Sequence, residues 1–173
     1  MILKLEVKLL EEGAKLPELG KEGDLGYDLF ALEETPLYLN VVNKVRTGIA
    51  IKGTDKDGNP LGFKVNDRSS MAEQGVSTVG RVVDSGYRGE VVVMLTLQAG
   101  YPHPKLLKAG QKFAQIVPTP VLATDDISVV EGFEATARGT NGFGSTGTTA
   151  KSVVAEAVVV ETVAEESTEA TQS

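Results

Sequence analysis

The glycine-rich stretch "RGTNGFGSTG" (138–147) sets Arg138 ahead of one aromatic, Phe143. Gly142, Gly144 and Gly147 fit GxGxxG, and Gly142 with Gly147 fits GxxxxG; both spacings belong to phosphate-binding loops. Neither fits its context. The dinucleotide fingerprint follows a strand and opens a helix inside a βαβ unit, whereas this stretch lies near the end of a strand-rich chain. The Walker loop continues with Lys and Ser/Thr, whereas Thr148 and Thr149 follow here. Two readings remain: an arm that lays Arg138 on a phosphate and Phe143 on a base, or a connector to the last residues.

Four earlier stretches hold further candidates. Asp84, in "VVDSGYRGE" (82–90), is either a turn residue or an acceptor able to orient a water and take its proton. Tyr87, three residues on, reads as a half-buried strand aromatic. In "DRSSMA" (67–72), Arg68, Ser69 and Ser70 offer phosphate donors at the start of a helical turn, or hydroxyls that cap it. Gln115, in "AGQKFAQIV" (109–117), is an amide on an apolar strand that must find a partner or face solvent. Asp28, in "GDLGYDLFA" (23–31), is a carboxylate at a strand edge.

The elements that must position these groups read as strands. In "ILKLEVKLL" (2–10), Leu3, Leu5, Val7 and Leu9 alternate with charged residues, the period of a half-buried strand. Further strands are expected at 37–42, 48–52, 61–65, 90–98, 112–117 and 126–130. "DKDGNP" (55–60) marks a hairpin loop between two of them. "SMAEQ" (70–74) is long enough for one turn of helix. Many short strands with turn signals between them indicate an all-β sandwich or barrel.

Composition limits the function. The chain has no cysteine and a single histidine, His103, which excludes disulfides, thiolate metal sites and a zinc deaminase centre. Of the formal charge of −7, residues 148–173 carry −4, leaving −3 on residues 1–147. A general nucleic-acid surface is therefore not expected, and a bound polyanion must meet locally placed donors. No apolar run has the length of a membrane span. A cytoplasmic protein is the expectation, or one in the host cytoplasm if the source is viral. Residues 148–173 read as an acidic, low-complexity, disordered tail.

Taken in order, "GDLGYDLFA", "DRSSMA", "VVDSGYRGE", "AGQKFAQIV" and "RGTNGFGSTG" resemble the five motifs of the trimeric deoxyuridine triphosphatases (dUTPases). The resemblance covers residues 1–147 and implies a jelly-roll-like β-barrel over 1–137, a flexible active-site arm over 138–147, and a homotrimer with shared sites. It implies hydrolysis of dUTP to dUMP and pyrophosphate with Mg²⁺, which limits uracil in DNA and supplies dUMP for thymidylate synthesis. Asp84 matches the water-activating residue, and Tyr87 the ring that packs on deoxyribose and excludes a 2′-hydroxyl. Arg68, Ser69, Ser70 and Gln115 match phosphate contacts, and Asp28 a carboxylate near the metal acting through water. Arg138 would take the γ-phosphate and Phe143 would stack on uracil, with Gly144 and Ser145 beside it on the substrate. Thr78 stands where many relatives use an asparagine to read the uracil edge, and Leu25 and Arg81 replace smaller residues. Two alternatives differ in class. A dCTP deaminase-like enzyme needs a glutamate where Met94 stands, and a non-catalytic regulatory trimer would not need the intact candidate residues.

Overall fold

The computed structural model describes residues 3–122 and 127–136. The chain divides into two units, Met1–Asp125 and Asp126–Ser173. The first unit is built from β1 (Lys4–Leu9), β2 (Glu18–Leu19), β3 (Tyr27–Phe30), β4 (Thr35–Leu37), β5 (Asn43–Val45), β6 (Ile49–Thr54) and β7 (Pro60–Asp67). The helical turn α1 (Ser69–Ala72) follows, then β8 (Val76–Val79), β9 (Val82–Val83), β10 (Val93–Leu97), β11 (Lys105–Leu107) and β12 (Lys112–Pro120). The all-β expectation holds, with a jelly-roll-like arrangement of curled sheets.

One sheet runs β1-β6-β7-β12-β3-β2, with β9 added to β7; β5-β10-β8 form a second and β11-β4 a third. All named strand pairs are antiparallel. Inward positions follow the period of two. In β10, Val93, Leu95 and Leu97 are buried while Met94 and Thr96 are only partly so. Phe113, Leu29, Leu37, Ile49, Leu95, Leu107 and Ile116 are fully buried together, each contributing about 1.5–3 kcal/mol by burial.

Strands β6 and β7 pair as a hairpin, with Thr54 opposite Pro60. Asp55 builds its turn: Oδ1 accepts the amides of Asp57 at 2.8 Å and Asn59 at 2.9 Å. Gly58 supplies the positive φ of 85° that a side chain would resist. Asn59, chiefly through its side-chain hydrogen bond, holds the Asp55 carboxyl below the ordinary aspartate value.

Two expected strands differ. Residues 37–42 are not one strand, because β4 ends at Leu37 and β5 begins at Asn43. The buried Asn43 side chain takes the place of a strand partner: Oδ1 accepts the Tyr38 amide at 2.8 Å and Nδ2 donates to the Tyr38 carbonyl at 3.0 Å. This folds 38–42 into a turn and leaves Val41 and Val42 exposed. In the second unit, residues 127–130 form no strand, and Ile127 and Val129 are solvent-exposed. No strand pairs with this segment among the described residues, and an isolated strand cannot satisfy its own backbone. No described helix is long and apolar enough to cross a membrane.

Candidate active site

Six candidate residues of the first unit, Asp28, Arg68, Ser69, Asp84, Tyr87 and Gln115, fall into two clefts. The first, of about 220 Å³, is lined by Val79, Gly80, Asp84, Tyr87, Glu90 and Met94, among others. It lies at the loops joining β8, β9 and β10. The Asp84 carbonyl accepts the Tyr87 amide at 3.0 Å, which closes a tight turn. Strand β9 pairs with β7, Val83 opposite Phe63, and Gly62 allows the approach: a Cβ there would lie 3.2 Å from the Val83 carbonyl oxygen. The backbone thus carries Asp84 to the surface. Its exposed carboxylate makes no hydrogen bond or ion pair among the described residues.

Tyr87 is placed by its successors. Its hydroxyl donates to the Glu90 carbonyl at 3.0 Å. The ring folds back over Gly89, where a Cβ would fall 2.4 Å from the phenolic oxygen. Across the cleft, Met94 pairs with Val79 and reaches over Gly80, where a Cβ would meet the Met94 terminal methyl at 2.2 Å.

The second cleft, of about 690 Å³, is lined by residues from three of the sequence stretches and their neighbours, including Gly26, Asp28, Asn66, Arg68, Ser69 and Gln115. Strand β12 brings them together. Gln115 pairs with Asp28 on β3 and with Asn66 on β7, so three polar side chains form one row across the sheet. The Gln115 amide nitrogen donates to the Asp67 carbonyl at 2.8 Å. Its Oε1 lies where a Gly26 Cβ would stand, 2.1 Å from that ideal position. Only glycine fits at residue 26 without moving the amide.

Asp28 is nearly buried, and both its oxygens are engaged. Oδ1 accepts Arg68 Nε at 2.6 Å, and Oδ2 lies 3.1 Å from Lys112 Nζ. Glu18 first, and Asp28 second, raise the Lys112 ammonium above the ordinary lysine value. Arg68 therefore stands as a fixed cation at the entry to α1. The first amides of any helix lack intrahelical acceptors, so the start of α1 adds donors beside that cation. Ser70 does not line the cleft; its hydroxyl lies 3.5 Å from Arg68 Nη1.

Thr78 lines neither cleft. It sits opposite the core residue Leu95, is 3% exposed, and its Oγ1 has no hydrogen-bond partner among the described residues. Its amide donates to Asp67 Oδ1 at 2.6 Å. Arg138, Phe143, Gly144 and Ser145, with the remainder of the arm and the tail, lie outside the described residues. Sequence reasoning missed Asn66, Asp24, Gly26, Glu90 and Met94. Asp24 and Glu90 are polar residues inside the quoted stretches and Asn66 adjoins one, a signal that was there to use. Gly26 and Met94 carry no polar group and gave none.

Among the described residues no three carboxylate, histidine or cysteine side chains cluster as a metal cage. Asp24 and Asp28 do line the phosphate-suited cleft. Asp28 is held by Arg68 and Lys112, so it fits Mg²⁺ only through a water, which suits an ion that keeps several waters and takes ligands from a substrate's phosphates.

A dUTPase family model matches residues 12–147. The chain is 36% identical over 146 residues to the deoxyuridine 5'-triphosphate nucleotidohydrolase of Paramecium bursaria Chlorella virus 1, covering 83% of this chain and 97% of that protein. It is 38% identical over 148 residues to the enzyme of the same name from Clostridium novyi, covering 84% and 99%. In fold it resembles the Staphylococcus bacteriophage 80alpha dUTPase with dUPNHPP, with a TM-score of 0.71 at 24% identity over 84% of this chain and 99% of that one. On the family match and these identities, with five motifs in order on a jelly-roll-like frame, the chain belongs to the dUTPase family.

Proposed function

We propose that the two clefts are the two halves of one active site, each completed by the other half from a neighbouring copy in a homotrimer. The chain is a dUTP diphosphatase, releasing dUMP and pyrophosphate. One observation carries the division of labour: the free carboxylate and the tyrosine line one cleft, the anion-binding groups line another, and no residue lines both.

In the first cleft, Asp84 orients a water and accepts its proton as the water oxygen attacks phosphorus. The bond between the α-phosphorus and the oxygen bridging to the β-phosphate breaks, and pyrophosphate leaves with that electron pair. Little covalent participation is needed, so positioning and charge neutralisation provide the rate. Tyr87 packs on deoxyribose and leaves no room for a 2′-hydroxyl. In the second cleft, Arg68, Ser69 and Gln115 hold phosphate oxygens and Ser70 supports Arg68; Arg138 of the arm would take the γ-phosphate. Phe143 stacks on the base, worth roughly 1–3 kcal/mol, with Gly144 and Ser145 alongside. Thr78 supports the uracil side through its strand. Mg²⁺, when bound, neutralises triphosphate charge; Asp28 and Asp24 would hold it through water. The enzyme works in the cytoplasm on a free nucleotide, limiting uracil in DNA and supplying dUMP.

The test is pyrophosphate release from dUTP, dCTP, dTTP and UTP, with and without Mg²⁺. The expected result is strong preference for dUTP and dependence on Mg²⁺. Comparable turnover of UTP and dUTP would contradict the assignment of Tyr87.

A further inference from the structure

The first cleft contains a charged group with no share in the chemistry above. Glu90 lines the cleft, yet its carboxylate points away into a clamp. Oε1 accepts the Gly48 amide at 2.8 Å, and Oε2 accepts Arg46 Nε at 3.1 Å. Arg46 Nη2 also meets Glu11, and Glu11 first, Glu90 second, raise the guanidinium above its ordinary value. The next residue is fixed to the same segment: the Val91 amide donates to the Ile49 carbonyl at 2.8 Å, and its carbonyl accepts the Thr47 hydroxyl at 2.6 Å. Glu90 and Val91 are therefore where the turn carrying Asp84 and Tyr87 is anchored to the β5–β6 connection and the start of β6.

The Glu90 carbonyl is also the acceptor for the Tyr87 hydroxyl, at 3.0 Å. Gly89 closes the arrangement, since the ring occupies the space that any side chain there would need. The carboxylate thus fixes the backbone oxygen, and that oxygen fixes the ring. We infer that Glu90 is a positioning residue for sugar selection: its clamp on Arg46 and Gly48 sets the Tyr87 ring where it excludes a 2′-hydroxyl. The inference rests on the reading that Tyr87 faces the sugar. An exposed ring on a tight turn is otherwise free to swing, and a ring that swings admits a ribonucleotide.

The experiment compares kcat and KM for dUTP and UTP in wild type, Glu90→Ala, Glu90→Gln and Arg46→Met, with thermal melting as a folding check. Glu90→Ala should raise the UTP-to-dUTP ratio of kcat/KM by about tenfold or more, the scale of one steric contact. Glu90→Gln keeps an acceptor for the Gly48 amide and should restore most of the discrimination. Arg46→Met, at a half-exposed side chain, should raise the ratio by a smaller factor and decides the matter if Glu90→Ala fails to fold. Equal losses on both nucleotides, with the ratio unchanged in Glu90→Ala or in Arg46→Met, would overturn the inference and leave Glu90 a structural anchor. A wild-type enzyme without preference for dUTP over UTP would instead remove the reading of Tyr87 on which it rests.

Discussion

The two clefts of the first unit solve opposite problems. In the cleft of Arg68 and Gln115, the polar side chains named are already committed within the protein: Arg68 to Asp28, Asp28 also to Lys112, Gln115 to the Asp67 carbonyl. In the cleft of Asp84, the backbone is tied down while the carboxylate is left free. A donor that stabilises charge is most effective when it need not reorganise. A group that takes a proton from water must instead keep an acceptor site open. On the proposed reading, rigid donors and a free acceptor on a rigid turn are the two halves of the hydrolytic site.

Substitutions on the two sides should therefore fail differently. The largest effect is expected for Asp84→Asn, which keeps the shape of the turn and removes the proton acceptor. Steady-state kinetics should show kcat falling by about 10²–10⁴, with nucleotide affinity nearly unchanged. Near-normal turnover would reduce Asp84 to a turn residue. Arg68→Ala, on the other side, should weaken binding of a non-hydrolysable dUTP analogue by a charged hydrogen bond, about 1.5–3 kcal/mol. Titration calorimetry should show dUMP, which lacks the β- and γ-phosphates, much less affected.

Two smaller predictions sharpen the boundary between site and frame. Thr78→Val removes a buried hydroxyl without a partner among the described residues and should stabilise the fold by about 1 kcal/mol in chemical denaturation. A loss of stability would mean that the hydroxyl is satisfied after all. The smallest effect concerns the β6–β7 turn. The folded Asp55 carboxyl is held below its ordinary value of 3.8, so its contribution is fully present above that pH. It is lost as pH falls through the lower folded value. Asp55→Ala should flatten this acid limb of the stability profile slightly, the group being solvent-exposed and screened.

What could be read from the sequence was what depends on neighbours in the chain. The period of two located β1, apolar runs bounded by Gly or Pro located β6, β7, β10 and β12, and the Asp-Gly turn joined β6 to β7. Residues 37–42 were misread because the decisive group, Asn43, acts through side-chain hydrogen bonds that mimic a strand and leave no periodic trace. The short strands β3, β8 and β11 have too few residues to show a period. At the candidate site, the quoted stretches supplied residue types, but their grouping into two clefts depends on register. Gln115 stands beside Asp28 and Asn66 only because β12 lies between β3 and β7, and no local pattern encodes that. Thr78 gave the opposite lesson: the family resemblance, which sets it where relatives use a uracil-reading asparagine, suggested a ligand contact, whereas its position opposite Leu95 turns its side chain to the core.

The central claim, that the clefts are halves of a site shared between copies, is tested most directly by complementation. Asp84→Asn and Arg68→Ala proteins are each impaired, and every chain in a mixture carries one damaged cleft. Mixed under conditions that exchange subunits, with hybrid trimers verified by native mass spectrometry, they form sites joining an intact Asp84 cleft to an intact Arg68 cleft. The account predicts dUTP hydrolysis well above the weighted sum of the two parents. Activity equal to that sum in verified hybrids would contradict it and place each complete site within a single chain.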